Sequence, residues 1–425
     1  MQFMPFQVLG IWLRGFLALL LLGAGVYLLS RWYDERTEFV AAAGATERAD
    51  TGSQVESSTP TAASRQSPDR ENEFRRVDWR FGLNRETAYL LGGLALIIWS
   101  LGGRFLSPTH WRKRGKDEPT DSLPGTVQRL KRPDGSELCV ESYGRQDGTP
   151  LILTHGWGLD SQEWYYAKKE LGNHFRLVAW DLPGLGRSTR PANNDWSLEK
   201  LAGDLEAVLT VAGDRPAVLV GHSIGGMIML TFCRLFPEAL NHRVCGLVIA
   251  HSTFTNPVKT TSMPGLHTAL QKSVLEPLCH LMVALAPLAW LLNWLGYLNG
   301  SAHRATERSS FSGHETKGQL DFLARYNVRA WPAVVARGFL AMFRYDETAT
   351  LASVNVPTLI VAGDKDTTCT PEASLQMSEA ISDSSLVTLK DARHCGLFEH
   401  HDQFLVRVRD FAAKLGREAL AGSTR

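Results

Sequence analysis

The chain carries almost no excess charge. Its 45 lysines and arginines stand against 44 aspartates and glutamates, a net charge of +1 at pH 7. So close a balance supplies no field to draw in a polyanion, and no nucleic-acid partner is expected. Cysteine is scarce too. Cys139, Cys233, Cys245, Cys279, Cys369 and Cys395 are widely separated and include no C-x-x-C pair. That spacing argues against a zinc site and against the dense disulfide frameworks of small secreted domains. Buried free thiols in a reducing compartment are the expectation. At 425 residues the chain exceeds the ~100–200 of an ordinary domain, so it has room for a large core and for further segments.

Two long apolar runs precede anything that reads as globular. Val8 to Leu29 is 22 residues with one charge, Arg14, close to the ~20 that a helix needs to cross a bilayer core. A cleaved signal peptide is the rival, but the run is too long, no basic stretch precedes it and no clear A-x-A site follows. The second run, TAYLLGGLALIIWSLGGRFL from Thr87 to Leu106, has aromatics near its ends and Arg104 near its exit. Residues 1–30 and 87–106 are therefore read as two transmembrane helices, with the lipid bilayer as partner. Between them, 31–86 is rich in Ser, Thr, Ala, Arg and Glu and poor in large apolar residues, so it is expected to be a disordered polar loop. Residues 107–125 read as a basic linker. The positive-inside rule gives a divided orientation. Arg112, Lys113, Arg114 and Lys116 argue for a cytoplasmic C-terminal domain, whereas Arg31, Arg36, Arg75, Arg76, Arg80 and Arg85 argue for a cytoplasmic loop. The denser cluster and the unpaired cysteines favour the cytoplasmic domain.

From Thr126 the texture changes. TVQRLKRPDGSELCVESYG alternates around Pro-Asp-Gly, a hairpin signal. PLILTHG, FRLVAWD, PAVLVGHS, VCGLVIAHS, VPTLIVAGD and SSLVTLKDARH then supply short apolar cores typical of strands buried on both faces. Helical stretches separate several of them, including SLEKLAGDLEAVLTVAG with Ser197 as N-cap. The alternation predicts a mostly parallel sheet with helices on both faces. One strand, VLVGHSIGGMIM, turns abruptly. Gly221 and Gly225 flank Ser223 at minus two and plus two, where a Cβ would collide across a strand-to-helix corner. This is the G-x-S-x-G elbow, with a helix over Met227 to Phe236 to follow.

Reactive groups collect at the carboxyl ends of such strands. His155-Gly156-Trp157-Gly158 follows LILT, and Asp181 to Ser188 follows LVAW. Ser223 follows VLV, Gly363-Asp364-Lys365-Asp366 follows LIVA, and Asp391-Ala392-Arg393-His394 follows LVTL. A serine hydroxyl is a weak nucleophile until a base takes its proton. Histidine suits that task near neutral pH, and a carboxylate fixes its tautomer. Ser, then Asp, then His, each after its own strand, is the order expected for this kind of sheet.

These pieces (HGWG, DLPGLGRS, GHSIGG, GDKD and ARHCGLFE) resemble the α/β-hydrolase superfamily, in its serine esterase and lipase-like branch, from about Thr126 to Leu415. The resemblance implies Ser223 as nucleophile, Asp366 as acid and His394 as base, with the backbone amides of Trp157 and Ile224 as an oxyanion hole. Asp364 is the alternative acid in the same motif. His222 is expected to point away from the serine in a structural role, and His155 to brace the oxyanion loop. EHHD, Glu399 to Asp402, reads as a polar helix start, and Cys395 as packing. The sequon Asn299-Gly300-Ser301 has no meaning without a secretory context. No metal and no organic cofactor are implied. Residues 126–256 and 351–415 form the expected core, 257–350 a helical cap, and 416–425 a flexible C-terminus. Within the cap, Pro277 to Leu298 is strongly apolar. Pro287 would break it as a single span, so it is read as two short helices that line a pocket or touch a membrane surface.

The features together predict a membrane-anchored hydrolase that cleaves a small-molecule ester of an apolar, lipid-like acyl group through an acyl-enzyme. Epoxide hydrolases and haloalkane dehalogenases need an aspartate at the elbow, which Ser223 replaces. Thioesterase, amidase, carbon–carbon hydrolase and cofactor-free perhydrolase chemistry share the triad and stay open. The alternative of another class is a non-catalytic, hydrolase-like interaction module at the membrane. Protein partners are unknown from sequence.

Overall fold

The computed structural model describes residues 4–52, 84–120 and 125–422. They divide into two units, one of residues 17–103 and the other of residues up to 16 together with 104 onward. Helix α1 spans Met4–Gly52 and α2 spans Arg85–Gly102. The stretches Trp12–Ala42 and Arg85–Trp111 are long and apolar enough to cross a membrane. In the smaller unit the two helices meet at glycines. A Cβ on Gly25 would lie 2.9 Å from the Gly93 carbonyl oxygen, and a Cβ on Gly93 would lie 2.9 Å from that of Gly25. Small residues permit this backbone approach. Beside it, Ser100 Oγ donates to the Ala18 carbonyl at 3.0 Å.

Helix α1 corrects one expectation. Residues 31–52, expected to be part of a disordered loop, are helical. The run Val40-Ala41-Ala42-Ala43 is followed by only one glycine before Ala45, and alanine is the strongest helix former. The rest of that loop, 53–83, lies outside the described residues.

The larger unit is built on an eight-stranded sheet: β1 (Thr126–Lys131), β2 (Glu137–Gly144), β3 (Pro150–Thr154), β4 (Arg176–Trp180), β5 (Ala217–His222), β6 (Val244–Ala250), β7 (Thr358–Gly363) and β8 (Ser384–Leu389). Their order across the sheet is β1-β2-β4-β3-β5-β6-β7-β8. The hairpin β1–β2 is antiparallel, as is β2 to β4; every other pairing is parallel. The hairpin turn forms because Asp134 Oδ1 accepts from Ser136 N–H at 2.8 Å and Gly135 takes φ 79°. Strands β3, β5 and β7 are buried along their whole length, so their apolar runs need no alternation.

Two layers of helix cover the sheet. Helices α3 (Tyr165–Leu171), α4 (Leu198–Leu209) and α5 (Ile224–Leu235) follow β3, β4 and β5. Ser197 caps α4, its side chain accepting from Lys200 N–H at 3.2 Å. Helix α5 starts at Ile224, earlier than the expected Met227, because the corner is completed within Ser223 itself. After β6 comes the cap: α6 (Pro264–Leu270), a π turn over Gln271–Leu275, α7 (Glu276–Ala284), α8 (Ala286–Leu298), α9 (Ser301–Ser310), α10 (Lys317–Arg329) and α11 (Pro332–Met342). The stretch from α6 to α7 meets α8 at 97°, with Leu285 at the corner and Pro287 just inside α8. The apolar segment is thus two helices and not one straight crossing. The chain ends with α12 (Pro371–Ala380), α13 (Gly396–Glu399) and α14 (His401–Gly422). Phe404, Leu405, Val408, Ala412 and Leu415 of α14 join a core with Leu151, Leu153, Val218 and Val220 of the sheet. The alternate residues Ile152 and Leu219 face the opposite layer.

One further boundary differs from expectation. Residues 416–422, expected to be flexible, continue α14, and Gly416 packs against Thr149. The linker is pinned to the larger unit by its charges. Arg112 pairs with Glu307 at 2.5 Å and Glu315 at 3.0 Å, Lys169 pairs with Asp117 at 2.7 Å, and Thr316 Oγ1 donates to Glu118 at 2.6 Å. Residues 121–124 lie outside the described residues.

Glycine 225 sits where α5 touches β3. A Cβ there would collide with the Thr154 carbonyl, whereas a Cβ on Gly203, mid-way along α4, would meet nothing within 4 Å. Gly225→Ala should therefore destabilise by about 1–3 kcal/mol through overpacking, while Gly203→Ala should stabilise by about 0.5–1 kcal/mol through helix propensity. Thermal midpoints of the two variants in detergent check this; a rise in both would contradict the packing of α5 on β3.

Candidate active site

The corner between β5 and α5 presents Ser223 with φ 53° and ψ −116°. A non-glycine residue there is strained, so its neighbours must hold it. Ser223 N–H donates to the Ala250 carbonyl at 3.0 Å. Its own carbonyl accepts from Gly226 N–H at 3.0 Å and from Ser252 Oγ at 2.6 Å. A Cβ on Gly221 would come within 2.5 Å of the Gly225 carbonyl carbon, which is why the corner needs a glycine on its strand side as well.

Loops after β7 and β8 bring Asp366 and His394 to this serine. His394 Nε2 lies 3.0 Å from Ser223 Oγ, and His394 Nδ1 lies 2.9 Å from Asp366 Oδ2. Asp366 Oδ1 accepts from Thr368 N–H at 2.8 Å and Cys369 N–H at 3.1 Å. Burial alone would raise the Asp366 carboxyl. The His394 and His251 imidazoles reverse that and hold it well below the usual carboxylate range. Asp364 is turned elsewhere: exposed, it accepts from Ala392 N–H at 3.1 Å. Trp157 lines the same cavity as Ser223. Its indole N–H donates to Val335 O at 3.0 Å, and its ring lies against Gly338 of α11 so closely that a Cβ there would overlap it. Neither Trp157 N–H nor Ile224 N–H donates to another group among the described residues, so both amides are available to a ligand.

The remaining histidines have distinct surroundings. His155 Nε2 accepts from Leu182 N–H at 2.9 Å, while Nδ1 lies 2.8 Å from Gly156 O. It braces the loop, and burial lowers its pKa. His222 points away from the serine, into a buried ion pair with Glu163 at 2.6 Å. Its other nitrogen, Nε2, lies 3.0 Å from the His394 carbonyl. Burial disfavours a charged His222, but the Glu163 carboxylate outweighs it and raises the pKa. Glu163 also accepts from Gly156 N–H at 2.8 Å. Glu163 and His222 thus bridge the Gly156 loop to the His394 loop.

Two of these residues escape the sequence reading. Glu163 belongs to no motif, lying seven positions beyond Gly156, and only the fold brings it to His222. His251 had a signal: it follows the carboxyl end of β6. It is fully buried, its Nδ1 is 3.4 Å from Asp366 Oδ2, and burial lowers its pKa. Cys395 lines the cavity with its thiol pushed well up by burial, a packing residue. All six cysteines are free. Glu399 accepts from His314 N–H at 2.7 Å, and His401 stacks on Tyr166 at 3.6 Å, so these members of the EHHD run are engaged in packing and helix-end bonds.

Between strand ends and cap lies a cavity of about 80 Å³, room for about five to eight water-sized groups. Its walls include Leu159, Leu323, Val328 and Val335, with Ser223 and His394 on its floor. From the apolar segment Pro277 to Leu298 only Asn293 reaches it; Leu285 and Leu291 are 43% and 44% exposed. The segment's leucines therefore do not line the pocket: α8 presents its polar Asn293 to the cavity and turns those leucines the other way.

A mostly parallel sheet covered on both faces, with a serine elbow under a helical cap, defines the class. The chain belongs to the alpha/beta hydrolase family, whose sequence profile matches residues 151–408. Among curated proteins it is 25% identical over 284 residues to the AB hydrolase superfamily protein YisY of Bacillus subtilis (strain 168), covering 67% of this chain and 98% of that protein. It is 27% identical to the pimeloyl-[acyl-carrier protein] methyl ester esterase of Aeromonas salmonicida (strain A449), covering 64% of this chain and 98% of the esterase. A thermophilic esterase from Thermogutta terrifontis shares the fold with a TM-score of 0.56 at 23% identity, covering 68% of this chain and 99% of the esterase.

The buried histidines predict a pH optimum of stability. For His155 and His251 the folded pKa lies below the ordinary ~6.5, so the unfolded chain binds more protons and stability rises with pH up to that value. For His222 the folded pKa is raised, so its contribution is complete below ~6.5 and is lost as pH rises through the folded value. These three groups alone would place a stability maximum at pH ~6.5. Asp160 and Glu315, whose carboxyls burial pushes up to about 7, oppose the acid limb. The histidine contribution is therefore read as the difference in thermal midpoint between the protein and a Glu163→Gln variant across pH 5–9. Glu163→Gln should flatten the alkaline fall and steepen the acid limb, because burial then lowers His222 as it does His155. An unchanged alkaline slope in that variant would remove His222 from the account.

Proposed function

We propose that this chain, a hydrolase acting on ester bonds, is a membrane-anchored serine hydrolase that works through an acyl-enzyme. The observation that carries the reading is the continuous chain Ser223–His394–Asp366 at the floor of the capped cavity. In it, His394 Nε2 takes the Ser223 proton as Oγ attacks the ester carbonyl. The Asp366 carboxylate, fully buried and held ionised, stabilises the imidazolium that forms. Negative charge on the carbonyl oxygen is met by the N–H groups of Trp157 and Ile224, preorganised because both are otherwise unused. Collapse of the tetrahedral species expels the alcohol, which receives the proton from His394. Water then attacks the acyl-serine by the same route, with His394 again the base, and the acid leaves.

Specificity follows from the cavity. Its apolar walls and modest volume suit a medium acyl chain, each buried methylene contributing ~0.8 kcal/mol, or about fourfold in kcat/KM. The relatives named as methyl ester esterases support an ester as substrate and leave its identity open. Anchoring is supported by the two membrane-length helices, and the denser basic cluster Arg112 to Lys116 favours a cytoplasmic hydrolase unit over the opposing arginines of residues 31–85.

On a panel of p-nitrophenyl esters, kcat/KM should climb from acetate toward octanoate. Ser223→Ala should lower turnover on the order of 10⁶-fold and abolish labelling by a fluorophosphonate probe. Asp366→Asn should cost about 10⁴-fold and Asp364→Asn much less. Near-normal turnover of purified Ser223→Ala would remove the serine from the mechanism, and a larger loss in the Asp364 variant would reassign the acid. Full-length protein should resist carbonate extraction from membranes, because two spans insert effectively irreversibly; release by salt alone would contradict the anchoring.

A further inference from the structure

The cap helices α7 and α8 carry more apolar surface than their packing uses. The inner stripe of α8, Ala289, Leu292 and Leu295, is buried. A single stripe suffices to seat a helix. Yet Leu281 of α7, Leu285 at the corner, and Leu288, Trp290 and Leu291 of α8 are between 40% and 49% exposed. Leu288 and Leu291, three apart, are neighbours on α8, and Leu281 of α7 and Leu285 at the 97° corner lie on the other arm of the bend and at its apex. None of them lines the cavity.

A second observation identifies what meets this face. Residues up to 16 belong to the same unit as the cap. Gly15, buried, lies so close to α8 that a Cβ on it would collide with the Leu292 carbonyl. Gly15 falls inside the membrane-length stretch Trp12–Ala42. Gly15 is the fourth residue of that stretch, so α8 packs against the end of a membrane-length helix, the level at which a bilayer face would lie. The indoles are placed accordingly. Trp290 packs near Trp294 and Trp331 with ring centroids 6.1 Å and 6.3 Å away, and clustered indoles favour the membrane–water boundary.

We propose that the bent α7–α8 pair seats its Leu281–Leu291 face in the bilayer as a wedge, while Asn293 on its other side faces the cavity. This rests on the anchoring proposed above. One helix diameter, ~10 Å, then separates the reacting serine's cavity from acyl chains in the membrane, and the substrate class becomes a bilayer-resident acyl ester.

The test uses the full chain with Cys245→Ala, since that cysteine alone is half-buried, reconstituted in phosphatidylcholine–phosphatidylglycerol vesicles. An environment-sensitive fluorophore is placed at Leu288→Cys and, for reference, at Leu375→Cys, exposed on α12. The expected result is a blue-shifted emission at 288, quenched at least twofold more by doxyl-labelled lipids than at 375 and protected from aqueous iodide. Equal iodide quenching at both sites, in protein that still resists carbonate extraction, would overturn the wedge and leave the anchoring intact. Extraction by carbonate would instead remove the anchoring and the wedge with it. Protection at 288 from both quenchers would mean that another protein surface, such as a second copy, covers the face, and would also overturn the proposal. The combined change Leu285→Asp and Leu291→Asp should reduce hydrolysis of a vesicle-borne long-chain ester at least tenfold, with a soluble butyrate ester hydrolysed within twofold of normal. An equal loss on both esters would count against the wedge.

Discussion

The backbone turn at Ser223 is the constraint on which the site depends. Its φ of 53° lies where an L-residue's Cβ crowds the backbone, at a cost of order 1–3 kcal/mol. The turn persists because its surroundings leave no alternative. Strand β6 takes its N–H through Ala250, Ser252 takes its carbonyl, and α5 lies against the Thr154 carbonyl of β3 through Gly225. The same geometry exposes the hydroxyl and leaves the Ile224 amide unused.

Around that turn the protein keeps charge in pairs. Asp366 is ionised though fully buried, because two imidazoles and two backbone N–H groups surround it. Behind it, Glu163 and His222 form a second buried pair that holds Gly156 at one end and the His394 carbonyl at the other. Unpaired, any of these carboxylates would cost several kcal/mol in such a site. The pairs therefore set geometry as well as charge: the loop carrying the Trp157 amide cannot shift without disturbing the loop that carries His394.

Much of this is legible in the sequence, for physical reasons that differ by residue. The strands β3, β5 and β7 are readable because a strand buried on both faces must be apolar throughout. Ser223, Asp366 and His394 are readable because each follows a strand, and the glycines around Ser223 have no other use at that spacing. Glu163 is not, since a partnership between residues 163 and 222 is set by β3 and β5 lying side by side, and no local pattern encodes it. The extent of α1 is missed for another reason. Residues 31–52 are polar enough to look unstructured, yet hydrophobic content governs packing whereas alanine content governs whether the helix continues. Pro277 to Leu298 misleads in the opposite sense: its composition announces apolar surface, but only the 97° corner decides which side each leucine takes.

That corner links the cap to both of its environments. A straight helix of this composition would either cross a membrane or bury itself entirely. Bent, it divides its surface. Ala289, Leu292 and Leu295 are buried within the cap, Asn293 gives the cavity a polar contact, and Leu281, Leu285, Leu288 and Leu291 remain between 42% and 49% exposed. Exposed apolar patches of this kind are unfavourable on a free-standing soluble domain. They are tolerable where a bilayer stands beside them, and Gly15, packed on Leu292, belongs to a helix long and apolar enough to bring one there. In the proposed arrangement the excess of leucine on α8 and the glycine on α1 therefore have one cause. On that proposal the cap is shaped at once by the pocket it closes and by the lipid surface it would meet.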